Sequence, residues 1–348
     1  MLSKLKAFFE FFSASPAGKQ ARSAFSARFN FGLRTFGQNF VDFFKFGERG
    51  GKVRAAFFRQ LGVQIFLLAI TLTVLFPILW IFSMAIDPRN IDKPLDLTLI
   101  PPGASFEAFR KVLTEPFSLL CSDPSDISSC MTFGKLLINS VTVALGTSLF
   151  AVVLGASAAY AFSRFKFIGR QAGMIGFIVL LMLPSTATLA PLFVLLSQIR
   201  LGDEPLRQTL VGLMVAYASG TLPFAIWNLK GYSDTVPKEL EEAAIIDGAS
   251  VTQTFIKIIL PLSVPAMAVT VLFSFMSGWT EFVLAWTFLV DPSRFTLAMA
   301  LRSMQGQFST PWSEFSAMSI LMSIPIILLF FALQRYLVSG LTVGGVKG

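Results

Sequence analysis

Apolar positions in this chain gather into long stretches free of charge, and the charges gather between them. A bilayer core about 30 Å thick is crossed by roughly 20 residues of helix. Six stretches reach that length: 61–86, 136–162, 172–199, 208–229, 262–290 and 315–334. The fifth carries Glu281 within it, whereas the others are uncharged. The pattern predicts an all-α membrane protein with six transmembrane helices. Pro77, Pro184, Pro191, Pro223 and Pro325 fall inside these stretches. Each removes a helix hydrogen bond and invites a kink. Kinks suit a pathway through a bundle, and they are also ordinary in membrane helices, where Pro is common.

Ahead of the first stretch the pattern changes. Phe25, Phe29, Leu33, Phe36, Phe40 and Phe43 recur at steps of three and four, with Arg22, Arg28, Arg34 and Lys45 between them. This spacing predicts a basic amphipathic helix in segment 1–60, lying in the membrane interface; a packed surface for a cytoplasmic partner is the other reading. The segment lacks the compact apolar core and small-residue cleavage site of a signal peptide. Residues 1–60 hold 11 Lys and Arg against 3 acids, and the rest of the chain balances at 17 against 17. The net charge of +8 is therefore local to a tail beside a membrane. Anionic lipid fits such a tail better than nucleic acid does.

The same charges orient the spans. With the N-terminus in the cytoplasm, segments 1–60, 163–171, 230–261 and 335–348 hold 19 Lys and Arg, against 9 on the other side. Positive charge then lies inside, and both termini are cytoplasmic. The longest outside segment, 87–134, contains Cys121 and Cys130, the chain's two cysteines. An oxidising compartment would join them in a local disulfide; two unpaired thiols are the alternative. Composition then removes whole classes of chemistry. Of 348 residues, 54% are hydrophobic, 14% are charged and none is histidine, and the mean hydropathy is +0.69. Without histidine the chain lacks the usual general base and the commonest metal ligand, so neither a metal site nor catalytic residues are expected. The string Gly47-Glu-Arg-Gly-Gly-Lys-Val misses the spacing and the final Ser or Thr of a phosphate-cradling loop. Glu281 is alone among the spans, where an ion relay would need a chain of ionisable residues.

The connection 230–261 is the most informative segment. Pro237 can open a helix, the acids at 239, 241 and 242 favour its N-terminus, and Gly248 can end it. Small Ala243 and Ala244 would let such a helix approach a partner closely. Glu242-Ala243-Ala244, three residues, Asp247 at the last of them, Gly248, nine residues, Ile258, one residue and then Leu260-Pro261 resembles the EAA motif of ABC-importer membrane subunits. The resemblance implies a type I importer permease of MetI-like architecture. Residues Glu242 to Gly248, with Ile258, Leu260 and Pro261, would couple it to a separate ATPase subunit, where ATP and Mg would bind. This chain itself would carry no cofactor.

Two further stretches are similar to carbohydrate permeases. Gly278-Trp279-Thr280-Glu281-Phe282 resembles a Trp-Asn-Glu-Phe segment, departing at Thr280. It makes Trp279 and Glu281 candidates for the pathway or a subunit interface, with a cap at a kink as the other reading of Glu281. Segment 332–348 resembles the end of maltose/maltodextrin permeases, in which Gly344, Gly345, Val346, Lys347 and Gly348 would reach the ATPase. By position alone, Gln305, Gly306 and Gln307 would face a binding protein. The likeness covers roughly 60–348 and implies a permease domain 61–340 in the inner membrane, with a tail 341–348. The implied partners are a MalF-like second permease subunit, a MalK-like ATPase dimer, a periplasmic maltose-binding protein and membrane lipid. The implied cargo is maltose or maltodextrin. Trehalose, another oligosaccharide, a sugar alcohol or glycerol phosphate are alternatives, and an ion-coupled carrier is a more distant one.

Overall fold

The computed structural model describes residues 48–91, 98–123, 125–306 and 310–345. Most of the basic Phe-rich segment, 1–47, lies outside them. The chain divides into two compact units, Met1–Ile78 and Leu79–Gly348. In the first, the described element is most of α1 (Glu48–Ala85), a 38-residue helix that continues through Pro77. Residues 48–60, grouped by their charge with the basic tail, are helical turns continuous with the first span.

The second unit is built around α3 (Phe133–Arg164). One face of α3 carries Val143, Ala144, Thr147, Ser148, Ala151, Gly155 and Ala159, all buried, and the other carries exposed Ile138, Leu145, Leu149 and Val153. Small residues inside and large apolar residues outside are what membrane helices need, because lipid supplies no hydrophobic drive and close backbone approach supplies the packing. Two helices use that small face: α6 (Leu210–Ser233) and α9 (Val264–Thr280). Where α9 crosses α3, a Cβ on Gly278 would lie 3.1 Å from the Ala144 Cα and the Thr147 Oγ1, so this glycine sets the approach. Asn228 on α6 donates to the Ala266 carbonyl and the Thr270 hydroxyl of α9, each at 3.1 Å. α12 (Trp312–Gly345) packs on the far side of α9.

Among the described residues, four unbroken helices are long and apolar enough to cross a membrane, and two bent pairs raise the number to as many as six. One bent pair occupies the third predicted span, which divides into α4 (Arg170–Met182) and α5 (Leu189–Gln198). Leu183, ahead of Pro184, takes an extended ψ of 137°, as the proline ring requires of its predecessor. The fifth predicted span also breaks: α9 stops at Thr280, and the short α10 (Val283–Phe288) follows Glu281 and Phe282.

The described residues of segment 87–134 form a cap at the N-terminal end of α3. It contains α2 (Glu107–Thr114), packed on α12, and strands β1 (Phe117–Cys121) and β2 (Cys130–Met131), paired antiparallel. Cys121 and Cys130 are disulfide-bonded. Asp87 receives the Arg89 guanidinium in a two-pronged bond, Nε to Oδ1 at 2.9 Å and Nη2 to Oδ2 at 2.8 Å, and this partner holds its carboxyl below the usual range. The start of α12 is tied to the same turn, since Ser313 donates its N–H to the Asn90 side chain at 3.0 Å. Closing the cysteine loop is worth about 2–3 kcal/mol in the chain-entropy account. A Cys121→Ser, Cys130→Ser variant is expected to exchange amide hydrogens faster over 117–131, with α3 and α9 unchanged.

Candidate functional site

The EAA segment forms α7 (Glu239–Ile246), with Glu239, Glu241 and Glu242 in its first turn, where they complement the helix dipole. Its end is fixed by sequence. Gly248 adopts φ 86°. The Gly248 N–H donates to the Ile245 carbonyl at 3.0 Å and the Ala249 N–H to the Ala244 carbonyl at 2.9 Å, the paired bonds of a Schellman stop. Two residues later Ser250 starts α8 (Val251–Thr254) with a capping box: Gln253 N–H to Ser250 Oγ at 3.3 Å and Ser250 N–H to Gln253 Oε1 at 2.9 Å.

The Ile-x-Leu-Pro end of the motif has an equally local reason. Phe255–Ile259 is a π-helical turn, closed by the Leu260 N–H donating to the Phe255 carbonyl. Pro261 has no N–H for the Lys257 carbonyl, and widening the preceding turn relieves the ring clash that an α-helix would suffer. Ile258 packs against Tyr160, Val236 and Ile259, and Leu260 against Ala156, Ala159 and Leu229. The segment then turns by 75° into α9.

α7 has two faces. Inward, Glu241 and Ala244 are buried. Outward, Glu242, Ala243 and Asp247 are exposed, with Leu240 at 44%, Ile245 at 54% and Ile246 at 85%. The inward face is fastened by a charge pair that crosses 77 residues of chain: Arg164 Nε, at the end of α3, donates to Glu241 Oε1. Both side chains are buried, at 8% and 10% exposure. Tyr160 donates to Glu241 Oε2 at 3.0 Å, and Arg164 Nη2 donates to the Val236 carbonyl at 2.9 Å. Beside this pair Ser163 donates to Asp234 at 2.6 Å and Lys230 to the same carboxylate at 2.5 Å. Burial pushes the Asp234 carboxyl up, but the Lys230 and Ser163 hydrogen bonds outweigh it and hold it below its ordinary value. A carboxylate with a guanidinium and a phenol satisfies its lone pairs, which makes a buried ion pair tolerable. The arrangement mounts α7 on the ends of α3 and α6.

The remaining candidates divide. Trp279 is 1% exposed, stacks on Phe275 at 5.4 Å and donates Nε1–H to the Met322 carbonyl at 3.1 Å. It therefore joins α9 to α12 inside this chain. Glu281 accepts from the N–H groups of Val283 at 2.7 Å and Leu284 at 3.1 Å, so its carboxylate caps the break between α9 and α10. Gln305 and Gly306 are exposed after α11 (Leu297–Ser303), while Gln307 lies outside the described residues. Gly344 and Gly345 are the last residues of α12, and Val346, Lys347 and Gly348 also lie outside. Among the described residues no cluster of acids and cysteines could hold a metal ion. Tyr160, Arg164 and Glu241 were not among the sequence candidates. The signal was helical spacing: residue 241 lies three before Ala244, one face away from Glu242.

Residues 151–343 match the family described as "Binding-protein-dependent transport system inner membrane component". The maltose/maltodextrin transport system permease protein MalG of Yersinia pestis is 34% identical over 293 residues, covering 83% of this chain and 94% of that protein. The trehalose transport system permease protein SugB of Mycobacterium tuberculosis (strain CDC 1551 / Oshkosh) is 34% identical over 276 residues, covering 79% and 93%. Among solved structures, a chain of a bacterial ABC transporter involved in the import of the acidic polysaccharide alginate superposes with a TM-score of 0.64 at 21% identity. It covers 81% of this chain and 98% of its own. At that identity the likeness concerns the fold.

Proposed function

The chain belongs to the family of inner-membrane components of binding-protein-dependent transport systems, and from that premise we propose that it imports maltose and maltodextrins through a pathway shared with a MalF-like subunit. It is a multi-pass ABC-transporter permease subunit and not itself an enzyme. It works with a second permease, an ATPase and a periplasmic binding protein. The finer reading gives the ATPase as a MalK-like dimer holding ATP and Mg, and puts α7 and both termini in the cytoplasm, as the charge distribution favours. Support for maltose comes from the MalG relative. The SugB relative, at the same identity, favours trehalose as the second reading.

The observation that carries the mechanism is the two-faced α7. Its outward residues Leu240, Ala243 and Ile246 fit a cleft on the ATPase, while Glu241 fastens it to Arg164. When ATP binding closes the ATPase dimer, α7 moves with its docking cleft. The ion pair carries that movement into α3, and the π turn carries it into α9. Alternating access follows as the spans tilt against the second permease. In the same reading the tail from Gly344 to Gly348 reaches the ATPase, and Gln305, Gly306 and Gln307 meet the binding protein.

Gly248→Asp tests the coupling. A side chain at φ 86° is strained, but the site has open space for it, and Asp is among the residues that best tolerate this conformation. Insertion should be normal and uptake should fall about tenfold or more, because a carboxylate now stands at the docking edge. Loss of folded protein would count against that account. Cargo is tested in proteoliposomes carrying this chain with its second permease, ATPase and binding protein. ATP-dependent uptake of maltose and maltotriose is expected. Uptake of trehalose alone moves the cargo to the second reading, and uptake driven by an ion gradient without ATP contradicts the proposal.

A further inference from the structure

At the end of the bundle opposite α7, beside the break at Glu281, lies a cleft of about 540 Å³ whose lining includes Phe282, Trp286, Phe295, Arg302 and Gln305. Its size is typical of a small-molecule site. We propose that this cleft is a saccharide subsite that holds one pyranose ring of the cargo at the outer mouth of the pathway. The inference rests on the sugar-import reading and adds to it a place on this subunit where the sugar is touched.

A pyranose ring has apolar C–H faces and a rim of hydroxyls, so it is recognised by an aromatic plane beneath and hydrogen-bonding groups at the side. The cleft supplies both. Trp286 is 51% exposed, although the other tryptophan of this region, Trp279, is 1% exposed. The Trp286 and Phe295 rings stand 6.3 Å apart and 32° from parallel, close enough to form one continuous aromatic surface on which a sugar face can lie. Arg302 Nη1 donates to Gln305 Oε1 at 3.1 Å, which holds the two polar side chains together. The guanidinium keeps further N–H donors and the Gln305 amide keeps its NH₂ group for hydroxyl oxygens. No carboxylate is in the lining, so nothing there selects for a cation.

The walls are fixed in place. Glu281 caps α10, and the Trp286 N–H donates to the Phe282 carbonyl at 2.8 Å. Asn139 of α3 donates to the Phe295 carbonyl at 2.9 Å. Aromatic walls held by the backbone of three elements lose little freedom when a ligand arrives, which favours binding.

The test uses the whole transporter in lipid nanodiscs without its binding protein, with maltotriose and trehalose as probes followed by saturation-transfer NMR. Uptake by the same preparations is measured in vesicles with the binding protein. The transported sugar should give saturation transfer with the wild type. Trp286→Ala should weaken binding about tenfold and Trp286→Phe about threefold or less, with sugar-independent ATP hydrolysis unchanged in both. Arg302→Ala should weaken binding without removing it. Equal binding by wild type and Trp286→Ala, in a transporter that still imports the sugar, overturns the subsite and leaves the import reading intact. Loss of the second permease from purified Trp286→Ala complex also overturns it, because the cleft would then be a subunit contact. Displacement of the sugar signal by lipid alone, with no effect on uptake, would identify an acyl-chain groove instead. Failure of the wild type to import either sugar removes the import reading, and the subsite falls with it.

Discussion

Trp279→Ala is expected to destabilise the permease by about 3–5 kcal/mol, the usual range for deleting a buried large aromatic. The side chain is 1% exposed, lies against Phe275 at 5.4 Å and 15° from parallel, and bonds the Met322 carbonyl of α12. Hydrogen bonds between membrane helices average about 0.6 kcal/mol, so packing supplies most of the effect. Trp279→Phe separates the two contributions, since it loses the N–H but keeps a ring, and it should cost less than half as much. Thermal unfolding of the complex in detergent reads both. Equal losses for the two variants would mean that the hydrogen bond, and not the packed ring, joins α9 to α12.

The second large effect is expected at the buried charge pair. Glu241→Ala leaves the Arg164 guanidinium unpaired at 8% exposure, and breaking such a pair costs about 3–5 kcal/mol. Here the cost falls on the mounting of α7. ATP hydrolysis by the complex should persist while uptake falls by roughly tenfold or more. Arg164→Ala should do the same, and Arg164→Glu with Glu241→Arg should restore part of the uptake because the attraction is symmetrical. Tyr160→Phe removes only the phenol bond to Glu241 and should be milder. Double-swap uptake no better than that of either single variant would falsify the role of the pair as the link between α7 and α3.

How much of this was legible in the sequence differs from residue to residue. Spans could be read because a bilayer asks only for length and absence of charge, a property of contiguous residues. Where a span breaks was harder. Pro77, Pro223 and Pro325 sit inside continuous helices, whereas the helix stops at Pro184, with turn-forming Ser185-Thr-Ala-Thr188 behind it and Pro191 soon after. A proline alone says that one hydrogen bond is missing; its neighbours decide whether the helix survives. Residues 48–60 look like part of a basic tail because Lys52, Arg54 and Arg59 dominate them, yet charge does not prevent a helix from extending beyond the bilayer.

The motif residues were readable as a pattern and their work was only partly so. The Gly248 stop was visible, and the Ser250-x-x-Gln253 box was there to be read beside it. Ile258, Leu260 and Pro261 turn out to seat the segment and widen a turn, which spacing alone does not reveal. Glu281 was readable as a pathway group or as a cap at a kink, and its carboxylate accepts from two N–H groups exposed by the break. Arg164 counted only as an orienting charge and Glu241 only as a favourable first-turn acid. Their meeting depends on how α3 ends beside α7, and no local pattern encodes a contact between residues 77 positions apart.

The docking of α7 on an ATPase is the claim from which the coupling mechanism follows, and disulfide crosslinking tests it directly. Cys121 and Cys130 are already bonded to each other, so one introduced cysteine reports without interference from them. In the assembled transporter, Ala243→Cys on the outward face of α7 is paired with single cysteines along the ATPase cleft. Leu149→Cys, on the exposed large-residue face of α3, serves as the control. Expected is a crosslink from position 243 to the ATPase that changes in yield when ATP is added, and none from position 149. An active transporter in which position 243 forms no crosslink, or no more than position 149, would contradict the account.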